Sequence, residues 1–147
     1  MLDKWDTRFL ELAEFVAAWS KDPSTKVGAV ITHSRNRRVV SLGFNGFPAG
    51  VKDTHSRLNN RAIKYEMIAH AEQNALMFAG HLAEGCTLYV TPLPPCARCA
   101  VSIIQAGIAR VVSPTPDFEH ERWGEQCRIA GEMFDEAGVD WDYEGKG

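Results

Sequence analysis

From residue 69 onward the chain alternates between helix-periodic and strand-like segments, and this alternation constrains its fold more than any other feature. Helices are expected over about 69–80, 96–106 and 122–137, the last two ending at Gly107 and Gly138. Strands are expected over 86–91, 109–113 and 139–143. Strands separated by helices are joined by right-handed crossovers and so lie parallel. Upstream, KVGAVIT (26–32) and VVSLGF (39–44) are rich in β-branched residues and flank the turn-prone HSRNRR, which predicts a hairpin. A first helix is expected over about 4–20, where Trp5, Phe9, Leu12, Val16 and Trp19 recur at helical spacing until the Asp22-Pro23 step. The expectation is an α/β fold, a three-layer α/β/α sandwich around a five-stranded mixed sheet that starts antiparallel and continues parallel.

The stretch between hairpin and next helix, NGFPAGVKDTHSRLNNRAIKYE, is long and polar, with glycine and proline early. It reads as a loop with a helical turn inside, and loops of that length in compact domains are usually functional or mobile. With 147 residues the chain fits one domain over 1–147, because two cores would each bury too little surface to offset chain entropy. A composition of 45% hydrophobic and 24% charged residues, with no apolar run long enough to span a bilayer, argues against a membrane role. The amino terminus, MLDKWDTRFLELAEF, is acidic and amphipathic and has no secretory-signal pattern, so a cytoplasmic location is expected. In that reducing compartment Cys86, Cys96, Cys99 and Cys127 point to metal or redox chemistry rather than disulfides. A net charge of −3 and a pI near 5.9 argue against broad nucleic-acid binding and leave a small anionic ligand open.

VTPLPPCARCA (90–100) holds two of the four cysteines, and a lone C-x-x-C fits a redox pair, a metal clip or coincidence. Upstream, IAHAEQNAL (68–76) places His70 and Glu72 at a helix start. Residues two apart diverge around a helix, so both can serve one centre only there. Cys96 and Cys99, three apart, share a face of the next helix, whose start Pro94 and Pro95 mark. The positive end of that helix favours thiolates, the form a metal requires. Three convergent donors, His70, Cys96 and Cys99, leave the fourth zinc position open to water, as in catalytic rather than structural sites. Glu72 then stands beside the metal as a carboxylate free to move protons.

HAE (70–72) and PCARC (95–99), the latter's first cysteine 26 residues after His70, resemble the H-x-E and P-C-x-x-C signature of zinc-dependent nucleobase deaminases. SKDPSTKVGAVI (20–31), GFNGFPAGV (43–51), GCTLYVT (85–91) and IIQAGIARVV (103–112) are similar to segments of deoxycytidylate (dCMP) deaminases. The resemblance covers most of the chain from Ser20 to about Val112. It implies a cytidine deaminase-like fold, one catalytic Zn2+ per chain held by His70, Cys96 and Cys99, and Glu72 as the proton shuttle. The reaction would be hydrolytic deamination of dCMP to dUMP with release of ammonia, supplying dUMP for thymidylate synthesis. The resemblance further implies that Asn45 reads the deoxyribose, that backbone around Ala71 and Thr91 reads the base, and that Ser24 to Lys26 lie near the phosphate. It also implies a homo-oligomer, trimeric or hexameric, and dCTP and dTTP as effectors, with Mg2+ accompanying the nucleotide. The helix between the last two strands sides with nucleotide and tRNA-type deaminases, because small tetrameric cytidine deaminases use a tight hairpin there.

Alternatives stay open at several positions. Asn45 before Gly46 also suits a plain turn, and Lys26 stands where the family often has glutamine. Lys52, His55, Arg57, Arg61 and Lys64 are cations within reach of a phosphate, or a solvated surface. Where some relatives have GCSDD this chain has GVKDT, so Val51 replaces a cysteine that can serve a second zinc, and regulation through the loop is left open. Cys86 and Cys127 read as buried, inert thiols, and Trp123, Ala130, Met133, Phe134 and Ala137 as a core-facing stripe. The competing readings are a deaminase of dCTP, 5-methyl-dCMP or tRNA adenosine, a noncatalytic zinc module, and a thioredoxin-like redox protein. A polymer substrate would want a basic surface, and a structural site has no use for Glu72.

Overall fold

The computed structural model describes residues 2–146. In chain order the elements are α1 (Lys4–Ala17), β1 (Gly28–Thr32), β2 (Val39–Phe44), α2 (His55–Asn59), α3 (Arg61–Met67), α4 (Ala71–Ala79), a 3-10 turn (Gly80–Ala83), β3 (Thr87–Thr91), α5 (Ala97–Gln105), β4 (Arg110–Val112), α6 (Gly124–Ala137) and β5 (Asp140–Asp142). One five-stranded sheet runs in the order β2-β1-β3-β4-β5. β1 is antiparallel to both β2 and β3, whereas β3, β4 and β5 are parallel, as the alternation of helices and strands requires.

Alternation along the strands divides the core between two faces. Val30, Tyr89 and Val112 meet Phe9 and Ala13 of α1 on one side. Ala29, Ile31, Leu88, Val90 and Val111 meet Ala71 and Ala75 of α4, Ile103 of α5, and Ala130 and Phe134 of α6 on the other. The result is the expected three-layer sandwich. Two glycines let helices lie directly on the sheet. A Cβ at Gly28 would come within 2.0 Å of the Ala13 carbonyl, and one at Gly43 within 2.4 Å of the Ala71 carbonyl. At Gly43, α4 therefore sits on β2 with no side chain between, while Ser41 Oγ donates to the Ala75 carbonyl at 2.8 Å one pleat away, and together they fix the height of its first turn above the sheet.

Several sequence expectations need correction. The first helix ends at Ala17, not near residue 20, because the Trp19 and Ser20 amides turn back to the Val16 and Ala17 carbonyls. Trp19 consequently leaves the apolar stripe, stands 52% exposed, and joins Phe15 and Phe44 in an edge-to-face row. β1 begins at Gly28 rather than 26, since the Val27 amide is diverted to the Asn45 side chain. The loop after β2 contains two short helices, capped by Thr54 and Asn60, whose side chains accept from the Arg57 and Ile63 amides. Neither helix buries a residue, so neither produces an apolar period. On α6, Ala130 and Phe134 are buried as expected, while Ala137 is exposed and Cys127 occupies the core-facing position instead. Gly107 and Gly138 adopt positive φ (84° and 76°) where their helices end.

Candidate active site

Two helix N-termini meet at one end of the sheet. His70 is the N-cap of α4 and Cys96 the N-cap of α5. The His70 amide donates to Gln73 Oε1 at 2.9 Å, locking the first turn of α4. The Ala97 amide donates to Gln126 Oε1 at 3.0 Å, which ties α5 to α6. His70 Nδ1 lies 3.1 Å from Cys99 Sγ and 3.7 Å from Cys96 Sγ. The three donor atoms fall within 4.8 Å of one another, and no other such group occurs among the described residues.

The charges of this cluster are interdependent. The Cys96 thiol is pulled down to about 4, first by a hydrogen bond with Cys99 and further by His70, against the opposing effect of burial. Cys99 is pushed well up by Cys96, burial and the Glu72 charge, and His70 is raised by its hydrogen bond to Cys96. An anionic sulfur, a second sulfur and an imidazole converging on one point are held here by shared protons, and a divalent cation can take the protons' place. One nitrogen and two sulfur donors suit zinc, and three protein donors leave one position for water or substrate.

Glu72, in the first turn of α4, is 4% exposed and is not one of the convergent donors. Burial raises its carboxyl to about 7, against the lowering effect of a backbone hydrogen bond and of His70. A carboxyl poised at neutral pH beside a metal-binding group can both take up and release a proton.

The structure brings the other predicted residues to the same end of the sheet by backbone pairing. Gly46 and Ala69 form an isolated bridge (Gly46 amide to Ala69 carbonyl 3.1 Å, Ala69 amide to Gly46 carbonyl 2.8 Å), which seats Asn45 next to the residue preceding His70. Gly28 pairs with Phe44 on one side and Thr91 on the other, so Thr91 closes the same row. Ala71 is fully buried at the start of α4. Asn45 is buried and its side chain bonds the 22–27 segment, while Ser24 and Lys26 are exposed.

Of the loop cations, Lys64 is paired with Asp22 (2.9 Å) and Ser24 (3.1 Å). Arg57 Nη1 donates to the Lys52 carbonyl, and Arg61 stacks over Tyr65. His55 packs against Asn59 on its own helix. Cys86 and Cys127 are buried, and burial raises both thiols. Gln73, Gln126 and Asp22 were not singled out from sequence. Gln73 carried a signal, since it stands at the capping-box position three after His70. Gln126 and Asp22 act across the fold and carried none.

An α/β/α core with a histidine, two cysteines and a buried glutamate at its sheet end defines a metal-dependent hydrolase. The family model described as "Cytidine and deoxycytidylate deaminase zinc-binding region" matches residues 3–115, and the chain belongs to that family. It is 50% identical over 142 residues to an Aliivibrio fischeri protein described as an "Uncharacterized deaminase in luxG 3'region", covering 95% of this chain and 93% of the relative. It is 36% identical to the Homo sapiens deoxycytidylate deaminase, covering 92% and 77% of the two chains. The crystal structure of dCMP deaminase from the cyanophage S-TIM5 in complex with dCMP and dUMP shares the fold, with a TM-score of 0.74, 24% identity, and 97% and 98% of the two chains covered. No described helix is long and apolar enough to cross a membrane.

Proposed function

We propose that this chain is a single-domain, zinc-dependent dCMP deaminase that converts dCMP and water to dUMP and ammonia. The observation that carries the reading is the convergence of His70, Cys96 and Cys99 beside the buried carboxyl of Glu72, in a chain whose human relative at 36% identity is a deoxycytidylate deaminase. His70, Cys96 and Cys99 hold one zinc ion. Zinc bound there supplies Lewis-acid activation of water at neutral pH.

Glu72 takes a proton from the water that adds to C4 and passes it to the pyrimidine ring nitrogen; it then takes the remaining proton of the new C4 hydroxyl and gives it to the amine, which leaves as ammonia as the C4–N bond breaks and the C4 carbonyl forms. Burial of the carboxyl favours its taking up a proton, and its place at the start of α4 beside the three donors lets it give that proton back. Backbone at Ala71 and Thr91 reads the base, Asn45 reads the deoxyribose, and the turn from Ser24 to Lys26 lies near the phosphate. The pairing of Gly46 with Ala69 and of Gly28 with Thr91 supports this placement.

The substrate is a free nucleotide rather than a nucleic acid, in keeping with the net charge of −3. The reading also includes a cytoplasmic location and assembly into a trimer or hexamer, for which the exposed Phe15, Trp19, Met77 and Phe78 offer apolar surface. Val51 supplies no thiol for a second metal, so the stoichiometry is one zinc per chain. Control by dCTP and dTTP with Mg2+ is the family's expectation for the same loop.

The test is loss of cytosine ultraviolet absorbance on dCMP by zinc-loaded protein, with Glu72→Gln as control. Turnover that falls at least about 100-fold in the variant is expected, and full turnover by Glu72→Gln would contradict the assignment of the proton carrier.

A further inference from the structure

We propose that Lys64 is a positioning residue for substrate recognition: acting through Asp22, it fixes the amide of Asn45 so that Asn45 meets the substrate only as a hydrogen-bond acceptor. The inference rests on the reading of Asn45 as the sugar contact.

A primary amide carries two donor hydrogens and two acceptor lone pairs. In Asn45, Nδ2 donates to the Thr25 carbonyl at 2.9 Å and to Asp22 Oδ2 at 3.3 Å, which uses both hydrogens. Oδ1 accepts from the Val27 amide at 2.9 Å, which uses one lone pair. The Asn45 backbone is also engaged, its carbonyl by Ser20 Oγ at 2.8 Å and its amide by the Val27 carbonyl at 3.2 Å. One lone pair of Oδ1 is the only polar capacity left on the side chain. Turning the amide over would set NH2 against the Val27 N–H and Oδ1 against a carbonyl and a carboxylate, so the neighbours dictate the orientation.

Asp22 is the charged member of that set and so rejects the reversed amide most strongly. Its side chain is only 6% exposed, and a buried carboxylate needs a paired charge. Lys64 Nζ provides it at 2.9 Å and also donates to Ser24 Oγ at 3.1 Å, while the Ser24 amide donates to Asp22 Oδ1 at 2.8 Å. One ammonium from α3 thus secures both the Ser24 turn and the asparagine. Asp22 and Asn45 line a cavity of about 300 Å³, together with Gly46, Phe47, Leu58 and Ile68.

An acceptor-only asparagine selects a ligand that offers a hydroxyl. A 2′-deoxyribose 5′-monophosphate has one such group, the 3′-hydroxyl, and an analogue lacking it leaves Asn45 unpaired.

The experiment compares kcat/KM for dCMP and 2′,3′-dideoxycytidine monophosphate in zinc-loaded wild type, Lys64→Met and Lys64→Arg. Wild type should prefer dCMP by at least about tenfold, and Lys64→Met should shrink that preference to within about threefold, chiefly through a raised KM for dCMP. Lys64→Arg, which keeps the charge, should retain it. Asp22→Asn provides a second route to the same collapse should Lys64→Met fold poorly. An equal loss on both nucleotides with the preference intact would overturn the proposal.

A second measurement is independent of catalysis. In zinc-loaded protein without nucleotide, the Asn45 side-chain NH2 protons should be protected from solvent exchange by NMR in wild type and Lys64→Arg, and unprotected in Lys64→Met. Protection that survives in Lys64→Met overturns the proposal. Failure of wild type to turn over either nucleotide refutes the function proposed above and leaves the exchange measurement to decide the role of Lys64.

Discussion

His70 Nδ1 lies 3.1 Å from Cys99 Sγ across 29 residues of sequence, because α4 and α5 begin at the same end of the sheet. Each helix start is tied down separately, by Gln73 and by Gln126, so the donors are held before any metal arrives. Preorganisation of this kind predicts tight and cooperative metal retention.

Removing one donor should therefore empty the site. His70→Ala and Cys99→Ala are each expected to retain less than about a tenth of the wild-type zinc after dialysis, since two ligands do not hold the ion against competing buffer. Elemental analysis of the purified variants checks this, and a full zinc complement in either would remove that residue from the ligand set.

Replacing Glu72 by Gln keeps size and shape while removing the carboxylate proposed to carry the proton. Turnover should fall by about 10²-fold to 10⁴-fold with zinc content unchanged. Parallel measurement of zinc and rate separates loss of the proton carrier from loss of the metal.

The closeness of α4 to β2 gives a prediction far from the chemistry. Gly43→Ala introduces a Cβ 2.4 Å from the Ala71 carbonyl and 2.5 Å from the Ala75 amide, both backbone atoms that cannot rotate away. α4 must shift, carrying His70 and Glu72, and the expected cost is about 1–3 kcal/mol of stability together with at least a tenfold loss of rate. Gly131→Ala in α6 meets only Trp141 at 3.5 Å and should be neutral or slightly stabilising. Urea titrations and rates on the two variants compare the same chemical change in two environments.

Much of this architecture was legible because its signals are local. β-branched runs marked the strands, Gly107 and Gly138 marked helix ends, and H-x-E with P-C-x-x-C lies within two short segments. The parallel order of β3, β4 and β5 followed from the helices between them. What stayed hidden depends on partners distant in sequence or on surfaces without a period. α2 and α3 bury nothing and so carry no apolar pattern. Lys64 looked like one surface cation among several, and only the fold brings it to Asp22, 42 residues earlier. Trp19 fits the helical spacing of α1, but the chain has already turned there.

Another distant pairing sets the response to acid. Arg110 forms two hydrogen bonds to Asp6, at 2.8 and 2.9 Å across 104 residues, and Tyr89 donates to Asp6 at 2.9 Å. Burial alone would raise the Asp6 carboxyl, but the bonds from Arg110, the Asp3 amide and Tyr89 outweigh it and leave the group below its ordinary value. A carboxyl depressed in the folded state adds stability above its unfolded pKa of about 4, and that stability disappears as pH falls through the folded value. Asp6→Asn should cost about 1–2 kcal/mol at pH 7, because Arg110 loses the charge of Asp6 while keeping its bond to Asp142 at 2.7 Å. The gap between wild type and variant should narrow below about pH 4, as denaturation at a series of pH values would show. A constant gap down to pH 2 would mean that the charge on Asp6 contributes nothing.

The proposed activity is decided by the rate of dCMP deamination by zinc-loaded protein beside that of deoxycytidine under the same conditions. Rapid conversion of dCMP to dUMP and little or none of the nucleoside is expected, because the proposed contacts extend from the base through the sugar to the phosphate. A protein that holds stoichiometric zinc yet leaves dCMP unchanged would contradict the proposed activity.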